Sequence, residues 1–213
     1  MRMLLLASAL LALPAAAQEA QLIGAYRLSE GPDAAGGLLI QADGRFQYGL
    51  AVGALDERAE GRWERRGDQL CLFTEPKPVP PAFEKGPLIE VDEQVPTLLV
   101  TGPDDDGVPG VDFVIGFDGG EPATGYTQYY GWTMPGDDKR LPRWVEVGAP
   151  IYGLAVQRFD FSESDGGRLR IAIIPNDMGI VDFKGACVER TEQGAVLHRA
   201  EGDMHFVRLG DPE

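Results

Sequence analysis

Residues Gly107 to Trp132, G-V-P-G-V-D-F-V-I-G-F-D-G-G-E-P-A-T-G-Y-T-Q-Y-Y-G-W, are compatible with few folds. A Pro-Gly turn, an alternating run, a double-glycine turn and a second run ending in Thr-Gln-Tyr-Tyr-Gly-Trp follow one another without a break. Glycine and proline stand where a chain must reverse. Val111, Phe113, Ile115 and Phe117 fall on one face of an extended segment, because side chains alternate there with period two. This is the pattern of a β-sandwich hairpin. Downstream of the first residues no convincing amphipathic helix is found, since turn residues recur too closely to leave room for one. An all-β chain is expected.

The amino terminus reads differently. Met1-Arg2-Met3, an apolar run from Leu4 to Leu13 and the exit Pro14-Ala15-Ala16-Ala17-Gln18 are the three parts of a secretory signal peptide, with cleavage expected after Ala17. The run is shorter than the roughly 20 residues a membrane-spanning helix needs, so no membrane insertion is expected. Removing residues 1–17 leaves 18 basic and 34 acidic side chains. Such a balance repels nucleic acid and anionic headgroups. Its one dense run, Asp104-Asp105-Asp106, lacks the alternating spacing of a calcium loop and is read as a solvated turn.

Glu30-Gly31-Pro32-Asp33, Asp43-Gly44 and Arg66-Gly67-Asp68 are turn signals that divide residues 22–73 into short strands. With Arg66-Gly67 as the tip of the last hairpin, Trp63 is expected opposite Leu70. Cys71 then points to the other face beside Phe73, and a further layer should cover both. Cys71 and Cys187 are the only cysteines. In an exported chain they are read as one disulfide, which would tie the tail to the first segment.

The order G-A-Y-R-L at Gly24–Leu28, L-x-I-x-x-D-G-x-F-x-Y at Leu38–Tyr48, G-x-W at Gly61–Trp63 and G-D-x-L-x-L at Gly67–Leu72 resembles the opening hairpins of lipocalin-like, calycin-type barrels. The resemblance implies an antiparallel meander that curls into a barrel or half-barrel. Further on, G-x-P-G-V-x-F-x-I followed by G-Y-T-x-x-x-G-W resembles the carboxypeptidase regulatory-like, transthyretin-related β-sandwich, with Gln128 where that family usually has Asp. It implies a non-catalytic accessory or interaction domain.

Five prolines between Glu75 and Pro87 read as a stiff connector. The expected organisation is a signal peptide at 1–17, a lipocalin-like meander at 18–75, a Pro-rich linker at 76–94, a transthyretin-like sandwich at 95–165, and a meander at 166–213 that completes the first domain. In that last segment Leu169–Ile174 and Val181–Phe183 are expected as strands.

Little in the chain carries chemistry. No Ser stands in G-x-S-x-G, and no glycine-rich phosphate loop occurs, so no nucleotide or other cofactor is expected. With Glu201-Gly202 as a two-residue turn, His198 and His205 would face each other across a hairpin, but no third metal ligand follows from spacing. Cys187 with His198 could form a thiol dyad, against which the disulfide competes. A carboxylate-based hydrolase is a further alternative.

The unusual feature is Tyr126-Thr127-Gln128-Tyr129-Tyr130-Gly131-Trp132, which sets Tyr129 and Tyr130 at a turn tip. Tyr126 and Trp132 are expected to pack back, and Tyr126, Tyr129, Tyr130 and Trp132 are the candidate binding residues. The competing reading places the rings in a core or between domains. The expected function is an exported, non-catalytic binding or assembly module of a bacterial-type envelope, periplasmic or secreted, with a protein or glycan partner. The alternative is a carrier of small apolar ligands in the barrel interior.

Overall fold

A computed structural model describes residues 22–29, 31–53, 55–87 and 97–210. The expected leader at residues 1–17 lies outside them, as do Glu30 and part of the expected linker. The protein is all-β. The first strands in chain order are β1 (Gly24–Leu28), β2 (Ala34–Ile40), β3 (Arg45–Val52), β4 (Leu55–Arg66) and β5 (Gln69–Thr74). Next come β6 (Ala82–Gly86), β7 (Leu98–Thr101), β8 (Asp112–Phe117), β9 (Ala123–Tyr126), β10 (Pro142–Ala149), β11 (Leu154–Asp160) and β12 (Leu169–Ile174). The chain ends with β13 (Lys184–Arg190), β14 (Gly194–Arg199) and β15 (Gly202–Arg208). Two compact units result, one built from the chain up to Pro78 together with the chain from Ile180, the other from Val79–Gly179.

The first unit is a closed antiparallel barrel of order β1-β15-β14-β13-β5-β4-β3-β2. An eight-stranded barrel has an interior just wide enough for side chains to fill, and here they fill it. Phe46, Tyr48, Leu72, Phe183, Leu197 and Phe206 are among the buried residues of one continuous core. Asp43-Gly44 makes the expected β2–β3 turn, closed by the Gln41 N–H donating to the Arg45 carbonyl at 2.9 Å. The next register differs from expectation. Arg66 pairs with Gln69, so the tip is Gly67-Asp68, and Trp63 lies opposite Leu72 rather than Leu70. A slide of two keeps every side chain on its own face, so Leu70 and Leu72 both point inward and Cys71 outward.

Cys71 lies directly opposite Cys187 on β13, and the two form a disulfide. No further layer is needed over Phe73. Its outward ring is capped by the guanidinium groups of Arg62 and Arg66, at 4.7 and 5.2 Å from its centroid. Val181–Phe183 is not a strand. It is held by the Val181 N–H on the Arg58 carbonyl and by Thr74, whose hydroxyl donates to the Val181 carbonyl at 2.7 Å.

The second unit has a four-stranded sheet of order β11-β10-β8-β9 and a three-stranded sheet of order β6-β12-β7. Val111, Phe113 and Ile115 are buried as the alternation requires, alongside Val145, Val147 and Ile171. Phe117 is half-buried, with the Arg140 guanidinium 4.0 Å from its ring centroid.

Two expectations are corrected here. Ala82–Gly86, inside the segment read as a linker, is a strand paired antiparallel to β12. It holds no proline between Pro81 and Pro87, so its donors are free to pair. Leu169–Ile174 is a strand as expected, but it pairs with β6 and, in parallel, with β7, not with the barrel.

Candidate binding surface

Thr127 sets the geometry of the tyrosine loop. It is fully buried, and its hydroxyl donates to the Val108 carbonyl at 2.6 Å while accepting from the Val111 N–H at 3.1 Å. The Thr127 N–H and carbonyl pair in turn with Val111 and Gly110 at 2.9 Å each. Thr127, not Gln128, makes the side-chain hydrogen bonds that hold the base of this turn. Beyond it, the Gly131 N–H donates to the Gln128 carbonyl at 2.9 Å, which puts Tyr129 and Tyr130 at the two central positions of a turn. Gly131 has φ 78° and ends that turn. Trp132 returns the chain to the body: it exchanges backbone hydrogen bonds with Leu98 at 2.7 and 3.0 Å, and its ring lies 5.3 Å from that of Phe113.

Gly107 permits the approach, because a Cβ there would lie 1.8 Å from the Tyr129 carbonyl oxygen. The loop is thus anchored at both ends and pressed against a second loop. Tyr129 and Tyr130 are 74% and 77% exposed. Trp132 packs inward as expected, but Tyr126 does not. It is 63% exposed, because on edge strand β9 it is paired with Asp112 on the face of the sheet opposite the core. The same outer face carries Trp144, whose ring covers Gly116 and is stacked in turn by Arg158 at 4.2 Å. Sequence reasoning missed further exposed apolar residues, Ile151 and Tyr152 at the β10–β11 connection and Val156 on β11. Their one sequence signal was Pro150-Ile151-Tyr152-Gly153, an apolar turn.

The other candidates resolve otherwise. Arg199 pairs with Gly202, so His198 faces Asp203 and His205 faces Val196, and the two histidines are not opposite one another. His198 Nδ1 lies 2.8 Å from Asp203, and its Nε2 lies 3.4 Å from Glu189. The hydrogen bond to Asp203 first, then Glu189, raises its pKa above the ordinary histidine value against the pull of burial. Among the described residues no group of three or more His, Cys, Asp or Glu side chains could hold a metal ion. Cys187 is bonded to Cys71, which removes the thiol of a Cys187/His198 dyad. In the acidic run, Asp105 is not simply solvated. It has φ 66° and accepts from Arg170, whose Nε also donates to Thr101 at 3.2 Å.

One polar cluster was not foreseen. Inside the barrel, Arg199 donates to Glu57 at 2.6 and 3.2 Å and to Tyr48 at 2.7 Å, while the Tyr48 hydroxyl donates to Glu57 at 3.0 Å. Burial pushes the Tyr48 phenol above the ordinary tyrosine range. Burial opposes the Arg199 charge most strongly, but the hydrogen bond to Glu57 together with the charge interactions with Tyr48, Glu57 and Glu201 raises the Arg199 pKa. The cluster is satisfied internally, and among the described residues no buried side-chain nitrogen or oxygen lacks a partner. Glu57 drew no notice because an acid among D-E-R-A-E-G-R looks solvated, and only the barrel's closure turns it inward. A shallow depression of about 460 Å³ lies beside it, floored by Gly36, Gly37 and Gly49.

Fold and surface together define a class: an all-β protein with a side-chain-filled, disulfide-braced barrel and a separate sandwich carrying exposed tyrosines. Among the described residues no helix is long and apolar enough to cross a membrane. No family model, no curated protein and no solved structure matches the chain.

Proposed function

We propose that the protein is an exported, non-catalytic binding module that meets a protein or glycan partner of the cell envelope or exterior through Tyr126, Tyr129 and Tyr130. The observation that carries this reading is the exposure of Tyr129 and Tyr130, 74% and 77%, on a turn whose base is fixed by buried Thr127. Tyrosine supplies a large contact area with little rotamer entropy to lose, and a preformed loop keeps the ordering cost low. The leader-like start and the disulfide support export, since disulfides persist in oxidising compartments. A ligand carrier draws no comparable support, because the barrel interior is occupied by its own side chains.

Tyr129→Ala with Tyr130→Ala is expected to abolish partner capture in pull-down and glycan-array assays, each anchor contributing about 2 kcal/mol. The melting temperature should stay within a degree or two, as expected for about 0.5 kcal/mol or less at the surface. Unfolding of the double variant, or unchanged capture, would reject the reading.

A further inference from the structure

The stretch of sequence around the tyrosines carries charge of one sign. The 53 residues from 86 to 138 contain eleven acidic side chains and not one Lys or Arg. The fold brings part of this block against the rings. Asp112 is the cross-strand partner of Tyr126, at a separation where side chains interact directly. Asp104 and Asp106 lie exposed in the turn closed by the Gly102 N–H on the Asp106 carbonyl at 2.9 Å. That turn runs into Gly107, whose backbone lies against Tyr129.

Two cations of these sheets, Arg170 and Arg158, are already engaged. Arg170 is buried on Asp105 and Thr101. Arg158 stacks on Trp144 and lies 3.8 Å from Glu146 and 3.5 Å from Asp160. Asp104, Asp106 and Asp112 have no ion-pair partner among the described residues; Asp112 lies opposite the exposed Tyr126, and Asp104 and Asp106 lie in the turn that leads to Gly107 and the Tyr129 backbone.

Building on the reading of these tyrosines as a binding surface, we infer that the partner is a polypeptide presenting a cationic, Lys- or Arg-bearing segment. Ammonium and guanidinium groups are drawn to the faces of aromatic rings. Three carboxylates beside the rings add attraction and steer the encounter. An anionic glycan is repelled by the same field. An apolar peptide would strip water from unpaired acids without replacing it, which is costly. A neutral glycan could use the rings but would gain nothing from the block of acids.

The probe is a synthetic peptide alternating Arg and Gly, titrated calorimetrically into the mature protein. Asp104→Asn, Asp106→Asn and Asp112→Asn together are expected to weaken binding about tenfold or more, as should Tyr129→Ala with Tyr130→Ala. Raising NaCl from about 50 to about 300 mM should weaken it further, since exposed charges are then screened. Tyr129→Phe with Tyr130→Phe keeps the rings and should retain binding, which separates loss of contact from loss of fold. Removing equal charge from the barrel, with Asp56→Asn, Asp68→Asn and Glu192→Gln, is the control for net charge and should change affinity less than about twofold, because those exposed acids belong to the other unit.

A barrel set that weakens binding as much as the surface set, or a surface set without effect, overturns the inference by reducing it to net charge. Tyrosine-dependent binding to a neutral glycan, with the peptide indifferent to this surface, overturns the cationic partner and leaves the binding surface standing. Indifference of both probes to the tyrosines overturns both.

Discussion

His198 lies opposite Asp203 and within 3.4 Å of Glu189, while His205 faces Val196. A turn placed at Ala200-Glu201 instead of Glu201-Gly202 thus converts a potential metal-bridging pair into a histidine held by two acids. Its raised pKa means that the folded state binds the proton more tightly than the unfolded chain does. The stabilisation is therefore fully present below the ordinary histidine value of about 6.5, and is lost as pH rises through the higher folded value. Urea midpoints measured between about pH 5 and 8 should fall with rising pH in the wild type and fall less in His198→Gln. Parallel profiles would show that the contact with Asp203 has no energetic consequence. At this scale residue types were legible but partners were not: the same stretch that names His198 also contains His205, and register alone chooses between His205 and Asp203.

Strands announced themselves through turns. Asp43-Gly44, the double glycine at Gly119-Gly120 and the alternation from Val111 to Phe117 mark hairpins with a local mechanism, because only certain residues reverse a chain cheaply. The failures also have local causes. The first half of β4, from Leu55, is hard to read in the sequence, since its inward positions hold Glu57, Ala59 and Gly61 in place of large apolar residues. β6 is hidden by the prolines at both its ends. The elements β5 and β13 meet at Cys71 and Cys187, 116 residues apart in sequence. Closing so long a loop restricts the unfolded chain, and in the chain-entropy description contributes about 4 to 5 kcal/mol. The Cys71→Ser, Cys187→Ser protein should lose stability of that order in urea unfolding, with the barrel spectrum retained at low denaturant. Two alkylatable thiols in the native wild type would remove the premise.

At the level of the whole molecule, the chain leaves the barrel at Pro78 and rejoins it at Ile180. The ends of the intervening unit are neighbours. The Asp177 N–H donates to the Val79 carbonyl at 3.1 Å, the Val79 N–H donates to the Asp177 side chain at 2.8 Å, and Asn176 donates to the Pro80 carbonyl at 3.0 Å. A unit with its own core and adjacent ends satisfies the requirements for an insertion. Residues 79–179 expressed alone should therefore unfold in a single cooperative urea transition, monitored by circular dichroism. A fragment lacking that transition would show that the sandwich depends on the barrel. Sequence by itself determined that this chain is all-β, acidic and joined by tight turns, because alternation, turn residues and charge are properties of neighbours along the chain. Only the tertiary structure decided that β6 and β12 belong with the sandwich, that Glu57 turns inward to meet Arg199, and that Tyr126 turns outward. Strand partners and burial depend on contacts between residues far apart in sequence, and an apolar run such as Leu169–Ile174 suits the middle of either sheet equally well.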